Sequence, residues 1–365
     1  MRTLILTGPA TEEQLAVSQA LRTALAARGG TSLAVGALAL LGQHAPLSLT
    51  TALEREALHT PRAFAFLTAG GSFLREGKRR QAVYETNARY AENLRTLVAE
   101  GEFDAVLCLH RYPAEAVAHL RKTLPFSARC CFVSADDAVV PFLEETALDL
   151  YFTAHEDQTT AYERRGISKS RIAPVGIPLP ASWFRAEARE DARALLDLPQ
   201  GIPCYFIQSA SDPAAVVSAL LARLNGANVR VCAAVPDGAA PRSAFAAQFS
   251  GDIRVSAVSS EHPAALYRNA CDVLLSVPSG AISSAAVVAG VPLVHLPPRD
   301  AFEAQNARFF APRGMSVCAG SLDEAAALAL SLASDAAARE GMLAAQRSGC
   351  DPGAAERVVR RLYEG

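Results

Sequence analysis

Residues 271–297 read CDVLLSVPSGAISSAAVVAGVPLVHLP, and this stretch decides the fold. It begins with a short apolar run from Val273 to Leu275, turns at Pro278-Ser279-Gly280, and continues in small residues to Ala289. A second Gly-Val-Pro turn then leads into another apolar run, Leu293 to Leu296. Short apolar runs separated by turn residues and a helix-length segment predict a strand, a helix and a second strand.

The turn before this helix has the features of an anion site. The first N–H groups of a helix have no partner inside the helix, and the helix dipole adds a partial positive charge there. Small residues at Gly280 and Ala281 let an anion approach the backbone, and Ser279, Ser283 and Ser284 offer hydroxyl donors. A phosphate suits such a helix start. The same serines are also typical N-caps of an ordinary strand-helix turn, and both interpretations stay open.

Length and composition limit the class of protein. The chain has 365 residues, half of them hydrophobic, which predicts two domains or at most three, each with its own core. A net charge of -2, with 20% charged residues, gives no reason to expect nucleic acid as a partner. The eight cysteines form no C-x-x-C pair, and Cys130 and Cys131 lie in an apolar run. They are expected to be buried thiols in a reducing compartment, with no metal site.

No segment has the length of a membrane span or a secretion signal. The N-terminal run Leu4 to Leu6 is too short for a signal-peptide core and continues into Gly8-Pro9. The longest apolar run, Leu33 to Leu41, is about half of what a bilayer requires. The sequence therefore predicts a soluble or peripheral protein.

Strands and helices alternate along the first half of the chain. A strand is predicted at Arg2–Thr7, a helix from Thr11 or Glu12 to Arg28, and a second strand near 32–37. Further predicted strands are 105–109, 128–134 and 150–154, with helices near 81–99, 114–122 and 156–165. This alternation indicates a doubly wound parallel sheet, whose ligands bind beyond the carboxyl ends of the strands.

A Pro-rich stretch, PVGIPLPAS at 174–182, is the expected linker to a second, similar alternation. We expect domains at residues 1–177 and 178–350, followed by a C-terminal helix within 351–365. The strands predicted after the linker are 204–208, 229–235, 253–258, 273–276, 293–296 and 315–318, and the last predicted helices are 322–347 and 354–363.

Aromatic and basic residues are interleaved between residues 64 and 80. Such a segment fits an anionic bilayer surface, and a solvated charged face beside a core helix has the same pattern. The residues expected to make the membrane contact are Phe73, Leu74, Arg75, Lys78, Arg79 and Arg80.

Three segments carry a resemblance to a known family. They are FDAVLCLHRYPAEAV at 103–117, YFTAHEDQTTAYERRGISKSRIAPVGIPL at 151–179 and DVLLSVPSGAISSAAVVAGVP at 272–292. The chain resembles a GT-B glycosyltransferase of the monogalactosyldiacylglycerol synthase and processive diacylglycerol glucosyltransferase family, which is related to the lipid II-forming N-acetylglucosaminyltransferase. The middle segment is the most specific, since its aromatic strand start, acidic pair, Arg-Gly-Ile and Gly-Ile-Pro occur in order at family-like spacing.

The resemblance implies two Rossmann-like doubly wound domains that face each other across a cleft. It implies inverting transfer of a sugar from a nucleotide-sugar donor, expected to be a UDP-sugar, to a lipid acceptor such as diacylglycerol. The N-terminal domain would reach the acceptor and the C-terminal domain would hold the donor. No cofactor is implied besides the nucleotide sugar as co-substrate, and the expected location is cytoplasmic, peripheral on the inner face of the cell membrane.

Three of the sequence's departures from the family bear on whether the chain is active. The Gly-His pair that usually follows the first strand is Gly8-Pro9 here, and a normally Gly-rich loop reads SASDP at 209–213. The glutamate that binds ribose hydroxyls in relatives is Ala285, which cannot accept those hydrogen bonds. These departures favour the alternative of a catalytically degenerate GT-B relative that acts as a binding protein. A GT-B sugar-nucleotide epimerase is a third reading, whose acid and base residues cannot be assembled from this sequence.

Asp136 is the expected general base, because it follows the strand 128–134 and matches the aspartate after that strand in the family. The alternative reading of the Asp136-Asp137 pair is a turn cap or an exposed loop charge. His110 and Arg111, after the strand 105–109, and Gly8 are expected on the acceptor side, although a lone histidine there is also compatible with a structural role. Besides the residues of the 279–284 turn, the resemblance implies donor contacts at Ser209, Val258, Glu303 and Asn306.

Overall fold

The computed structural model describes residues 1–8, 12–36, 91, 94–123, 127–140, 143–183, 188–208, 212–236, 238–258 and 262–364. The chain forms two compact units. Unit 1 contains Met1–Pro180, Asp300–Gln305 and Pro352–Gly365, and unit 2 contains Ala181–Arg299 and Asn306–Asp351. The six residues predicted to contact a membrane and the predicted donor residue Ser209 lie outside the described residues.

Unit 1 is built on a parallel sheet. Its described strands are β1 (Arg2–Thr7), β2 (Thr31–Gly36), β3 (Ala105–Cys108), β4 (Arg129–Val133), β5 (Leu150–Thr153) and β6 (Ile172–Pro174), in the order β2-β1-β3-β4-β5-β6. Its helices include α1 (Glu12–Ala27), α2 (Arg111–Thr123) and α3 (Asp157–Glu163), and residues 94–101 are also helical. The central strands are buried on both faces, as parallel strands covered by helices must be.

Unit 2 has a second parallel sheet, in the order β12-β11-β10-β7-β8-β9 among the described strands. The strands are β7 (Cys204–Gln208), β8 (Arg230–Ala234), β9 (Val255–Ala257), β10 (Val273–Ser276), β11 (Leu293–His295) and β12 (Val317–Cys318). The helices are α4 (Arg189–Leu195), α5 (Pro213–Leu224), α6 (Ala239–Gln248), α7 (Ala264–Ala270), α8 (Gly280–Ala289), α9 (Ala301–Phe310), α10 (Leu322–Ser334) and α11 (Ala336–Gln346). α9 spans the division between the two units.

The last helix of the chain, α12 (Ala354–Tyr363), clusters with unit 1 and packs on α1. Its apolar residues Val358, Val359 and Leu362 are buried, and Arg129 donates to the Arg361 carbonyl (3.0 Å). α12 thereby contributes to the core of the first unit.

The predicted alternation and the parallel sheets are confirmed, with two corrections to the helices. The single helix predicted at 322–347 is two helices, α10 and α11, separated at Asp335. The Asp335 carboxylate accepts from the N–H groups of Ala337 and Ala338 (2.9 and 3.0 Å), which caps a new helix start. α2 begins at Arg111 instead of Ala114, because Pro113 is tolerated in a first turn where its missing N–H has no helical partner.

All eight cysteines are free, and Cys130 and Cys131 are buried as predicted. Within the described ranges, no helix is long and apolar enough to cross a bilayer.

Candidate functional site

Asp136 lies in unit 1 on the loop that follows β4. Ser134 still pairs with β5, since its N–H donates to the Phe152 carbonyl (2.9 Å). The Ser134 hydroxyl donates to the Asp136 carbonyl (2.7 Å) and closes a tight turn. Asp136 is therefore at the carboxyl edge of the sheet, the edge at which doubly wound folds bind ligands. Its role as a base stays a prediction.

The loop that carries Asp136 is contacted by two side chains that the sequence analysis did not single out. Gln158 donates to the Asp136 and Ala138 carbonyls, and Tyr162 accepts from the Val140 N–H. Both residues lie on α3, the helix that follows the strand next to β4. Gln158 and Tyr162 could have been identified from the sequence because their helix follows the predicted strand that neighbours β4.

Gly8 and His110 meet where the strand order of unit 1 reverses. β2 and β3 flank β1, and the Leu109 N–H donates to the Leu6 carbonyl (2.9 Å), so the pairing of β1 with β3 continues to the sheet edge. A methyl group at position 8 would lie 2.5 Å from Cγ of His110. Only a glycine at position 8 leaves room for the imidazole, so the structure brings these two predicted acceptor-side residues together.

His110 is held as a neutral imidazole with a defined tautomer. Burial, and next the neighbouring Arg111 cation, lower its pKa from 6.5 to about 3. The Tyr112 N–H donates to Nδ1 of His110 (3.3 Å), which leaves the ring proton on Nε2. His110 can therefore donate a hydrogen bond through Nε2 but cannot accept a proton there. The Arg111 guanidinium stacks over the Tyr112 ring, 5.2 Å from its centroid.

In unit 2, the predicted anion turn forms the start of α8. Ser279 is the N-cap, and its hydroxyl accepts from the Ile282 N–H (3.4 Å). The residues from Gly280 to Val287 are all buried, and the helix ends at Gly290 in the left-handed conformation. The predicted N-cap role of Ser279 is confirmed, while phosphate binding at this helix start stays a prediction.

Ser283 uses its hydroxyl inside the protein. Its Oγ lies 2.9 Å from Nε2 of His295, whose Nδ1 lies 3.1 Å from Oγ of Ser316. Burial lowers the pKa of His295 to about 3, so the ring is neutral and bridges two hydroxyls. The Ser283 hydroxyl therefore already has a partner inside the protein. Ser284 is also nearly covered, with its Oγ 3.8 Å from Sγ of Cys350.

Two unsatisfied polar atoms lie where the strand order of unit 2 reverses, between β7 and β10. Gln208 and Ser276 end these strands and pair in register. Nε2 of Gln208 and Oγ of Ser276 are buried and make no hydrogen bond with any residue that the structure describes, while Oε1 of Gln208 accepts from Arg268 (3.2 Å). Because buried polar groups are nearly always paired, two unpaired ones at this edge mark a place for a ligand group or a water. β7 and β10 each end an apolar run with a polar residue, and this sequence pattern could have identified Gln208 and Ser276 as candidate site residues.

The other predicted donor residues have defined partners. Asn306 is buried and its Nδ2 donates to the Pro278 carbonyl (3.0 Å), so it supports the turn before α8. The Val258 carbonyl accepts from Arg242 (3.0 Å). Glu303, in the part of α9 that clusters with unit 1, is nearly buried, and its N–H donates to the Asp300 carboxylate (2.9 Å). Contacts of these residues with a sugar stay predictions.

Ala285→Glu is expected to lower stability, because Ala285 is 0% exposed. A longer side chain in a packed interior typically costs about 1–3 kcal/mol, and a buried carboxylate adds its desolvation. Position 285 is where the resemblance places a ribose-binding glutamate, but the burial of Ala285 makes destabilisation the expected result. Thermal unfolding of Ala285→Glu and of Ala285→Met separates charge from volume. Unchanged melting together with tighter UDP binding would show that position 285 opens into a nucleotide pocket.

The N-terminal half of the chain matches one family model. Residues 15–179, somewhat less than half of the chain, match the model for monogalactosyldiacylglycerol (MGDG) synthase. The match covers the predicted base Asp136 and its α3 contacts. A search of curated protein sequences finds no match.

Solved structures resemble the chain over its whole length. The UDP-GlcNAc 2-epimerase from Neisseria meningitidis, bound to UDP-GlcNAc, has a TM-score of 0.66 at 12% identity, with 100% of each chain covered. MurG from Acinetobacter baumannii has a TM-score of 0.64 at 14% identity, again with 100% of each chain covered. The glycosyltransferase SnogD from Streptomyces nogalater has a TM-score of 0.62 at 15% identity, with 99% of each covered.

These likenesses confirm the predicted GT-B fold. Over residues 15–179, the family match is in keeping with the predicted class, a glycosyltransferase.

Proposed function

We propose that this chain, a GT-B protein whose residues 15–179 match the MGDG synthase family, transfers a sugar from a UDP-sugar to a hydroxyl of a lipid acceptor such as diacylglycerol. The observation that carries the proposal is the placement of Asp136 at the carboxyl edge of unit 1, within the part of the chain that matches this family. A carboxylate at such an edge is suited to accept a proton from a bound hydroxyl.

In the proposed reaction, the acceptor oxygen attacks the anomeric carbon of the sugar as Asp136 takes its proton. The bond from the anomeric carbon to the diphosphate oxygen breaks, and its electron pair leaves with UDP. Attack opposite the leaving group inverts the anomeric configuration. His110, with its proton on Nε2, would donate a hydrogen bond to the acceptor and would not compete with Asp136 as a base.

Unit 2 supplies the expected donor site. The N-terminus of α8 provides the partial positive charge that stabilises a leaving diphosphate. The unpaired buried atoms of Gln208 and Ser276, at the strand-order reversal, support a ligand position beside it. A UDP-sugar is proposed as the donor, in keeping with the UDP-GlcNAc bound by the structurally similar epimerase. We further propose a peripheral position on the cytoplasmic face of a membrane, where a lipid acceptor is available.

Addition of UDP is expected to raise the melting temperature of the protein. A ligand that binds only the folded state stabilises it, by about 2.7 kcal/mol at a hundred times its Kd. Thermal shift measurements with UDP, UDP-glucose, UDP-galactose and UDP-GlcNAc, with AMP as control, test this. Nucleotides that stabilise the protein then enter a transfer assay with diacylglycerol in detergent micelles.

These assays distinguish an active transferase from a relative that only binds nucleotides. Stabilisation by UDP without transfer to any hydroxyl lipid would favour a degenerate relative that binds nucleotides. No stabilisation at millimolar UDP would contradict the proposed donor site.

A further inference from the structure

The backbone around Asp136 is fixed by side chains at several points. The Ser134 hydroxyl accepts from the Asp136 N–H (3.4 Å) as well as donating to its carbonyl. Further along the loop, the Val139 N–H donates to Oε1 of Gln305 (3.2 Å), and the Val140 N–H donates to the hydroxyl of Tyr162 (3.0 Å). Because the backbone of this loop is in neither a strand nor a helix, it would be free to move without these side-chain bonds.

Gln158 is the central contact. Its side-chain Nε2 donates to the carbonyls of Asp136 (3.3 Å) and Ala138 (3.2 Å), one on each side of Asp137. Its Oε1 accepts from the Ala154 N–H (2.9 Å), which fixes the orientation of the amide, since an N–H can only donate. Gln158 is 4% exposed, so water does not compete strongly for these bonds.

We propose that Gln158 and Tyr162 are positioning residues, which fix the direction in which the Asp136 carboxylate leaves the backbone. Gln158 holds the carbonyls at and after Asp136, and Tyr162, at 0% exposed, holds the end of the loop. Both act from α3, so this helix sets the geometry of the base. The inference rests on the proposed function, in which Asp136 accepts the proton of the acceptor hydroxyl.

Two residues elsewhere in the chain provide matched controls. In unit 2, buried Gln346 also donates through Nε2 to two carbonyls, those of Val291 and Met315 (2.9 Å each). In unit 1, the hydroxyl of buried Tyr151 also accepts a backbone N–H, that of Leu148 (2.9 Å). None of these three bonds is made with residues 134–140. Gln346→Glu and Tyr151→Phe therefore lose the same kinds of bond without touching the base.

Gln158→Glu keeps the size of the side chain and loses both donors to the loop. We expect kcat for transfer from the active UDP-sugar to diacylglycerol to fall about a hundredfold, the effect of a small misplacement of a reacting group, with KM for the UDP-sugar unchanged. Hydrogen exchange at the amides of Asp136 to Val140 should become faster. Gln346→Glu should be less stable than the wild type. Its kcat, corrected for the folded fraction, and its hydrogen exchange in the loop should both equal those of the wild type.

Tyr162→Phe serves if Gln158→Glu does not fold, because it removes a single oxygen. It should lower kcat and speed exchange at Val140, whereas Tyr151→Phe should change neither. The positioning role would be overturned if hydrogen exchange in the loop of the Gln158 or Tyr162 variants stays at the wild-type rate. It would also be overturned if exchange becomes faster while kcat stays at the wild-type value. Loss of transfer in Asp136→Asn with full activity in these variants would refute only the positioning role. Full activity in Asp136→Asn would instead refute the proposed function.

Discussion

Asp136→Asn is expected to lower the rate of sugar transfer by about a hundredfold to ten-thousandfold, the usual contribution of a general base. The asparagine has nearly the size of the aspartate but cannot accept a proton at neutral pH. The bonds from Gln158 and Ser134 go to the main chain of residue 136, so the substitution leaves these bonds in place. The fold and the binding of UDP should therefore be those of the wild type.

The measurement is kcat on the best UDP-sugar and lipid pair, with UDP binding measured in parallel on the same preparations. The adjacent carboxylate gives the control, because Asp137→Asn removes the same charge one residue away. A loss of turnover in Asp137→Asn, with Asp136→Asn unaffected, would move the base to position 137. Normal turnover in both variants would show that the general base is not in this loop.

Asp272→Asn is expected to destabilise unit 2 by about 3 kcal/mol or more, because it leaves a buried cation without its counter-charge. The Asp272 carboxylate accepts from Arg193 and from the Cys204 N–H through one oxygen and from Arg189 through the other, each at 2.8 Å. Arg193 is 4% exposed and also donates to the Ala270 carbonyl (2.9 Å), so it cannot turn out to water without breaking that bond. The carboxylate thereby ties α4 to the starts of β7 and β10.

Urea unfolding followed by the fluorescence of Trp183 measures this loss, since Trp183 is the single tryptophan of the chain and lies in unit 2. The control is Asp323→Asn, which breaks a bidentate pair with Arg223 on exposed surface (2.8 and 2.6 Å). Water screens that pair, so a much smaller loss of stability is expected. Equal losses in the two variants would show that burial of Arg193 contributes nothing to the value of the Asp272 contacts.

Local sequence pattern determined the secondary structure and the class of the fold. β1 was predicted at Arg2–Thr7, where it is observed, because a run bounded by turn residues carries its own signal. The strand, turn and helix of 271–297 were likewise evident from apolar runs and their Gly and Pro boundaries. The break at Asp335 was missed, because an aspartate within an Ala-rich stretch fits a helix interior as well as a cap. Only the structure shows that its backbone is extended and that its carboxylate caps the next helix.

The composition of the candidate site was decided by the tertiary structure. Gly8 and His110 are about a hundred residues apart, and only the pairing of β1 with β3 brings the imidazole over the glycine. The same holds for Gln208 and Ser276, which become neighbours through the register of β7 with β10. It also holds for Ser283 on α8, whose hydroxyl lies against His295 of β11. Periodicity is a property of neighbouring residues and can be read locally. Strand order and register depend on which distant surfaces pack together, so the partners of each polar side chain follow only from the folded chain.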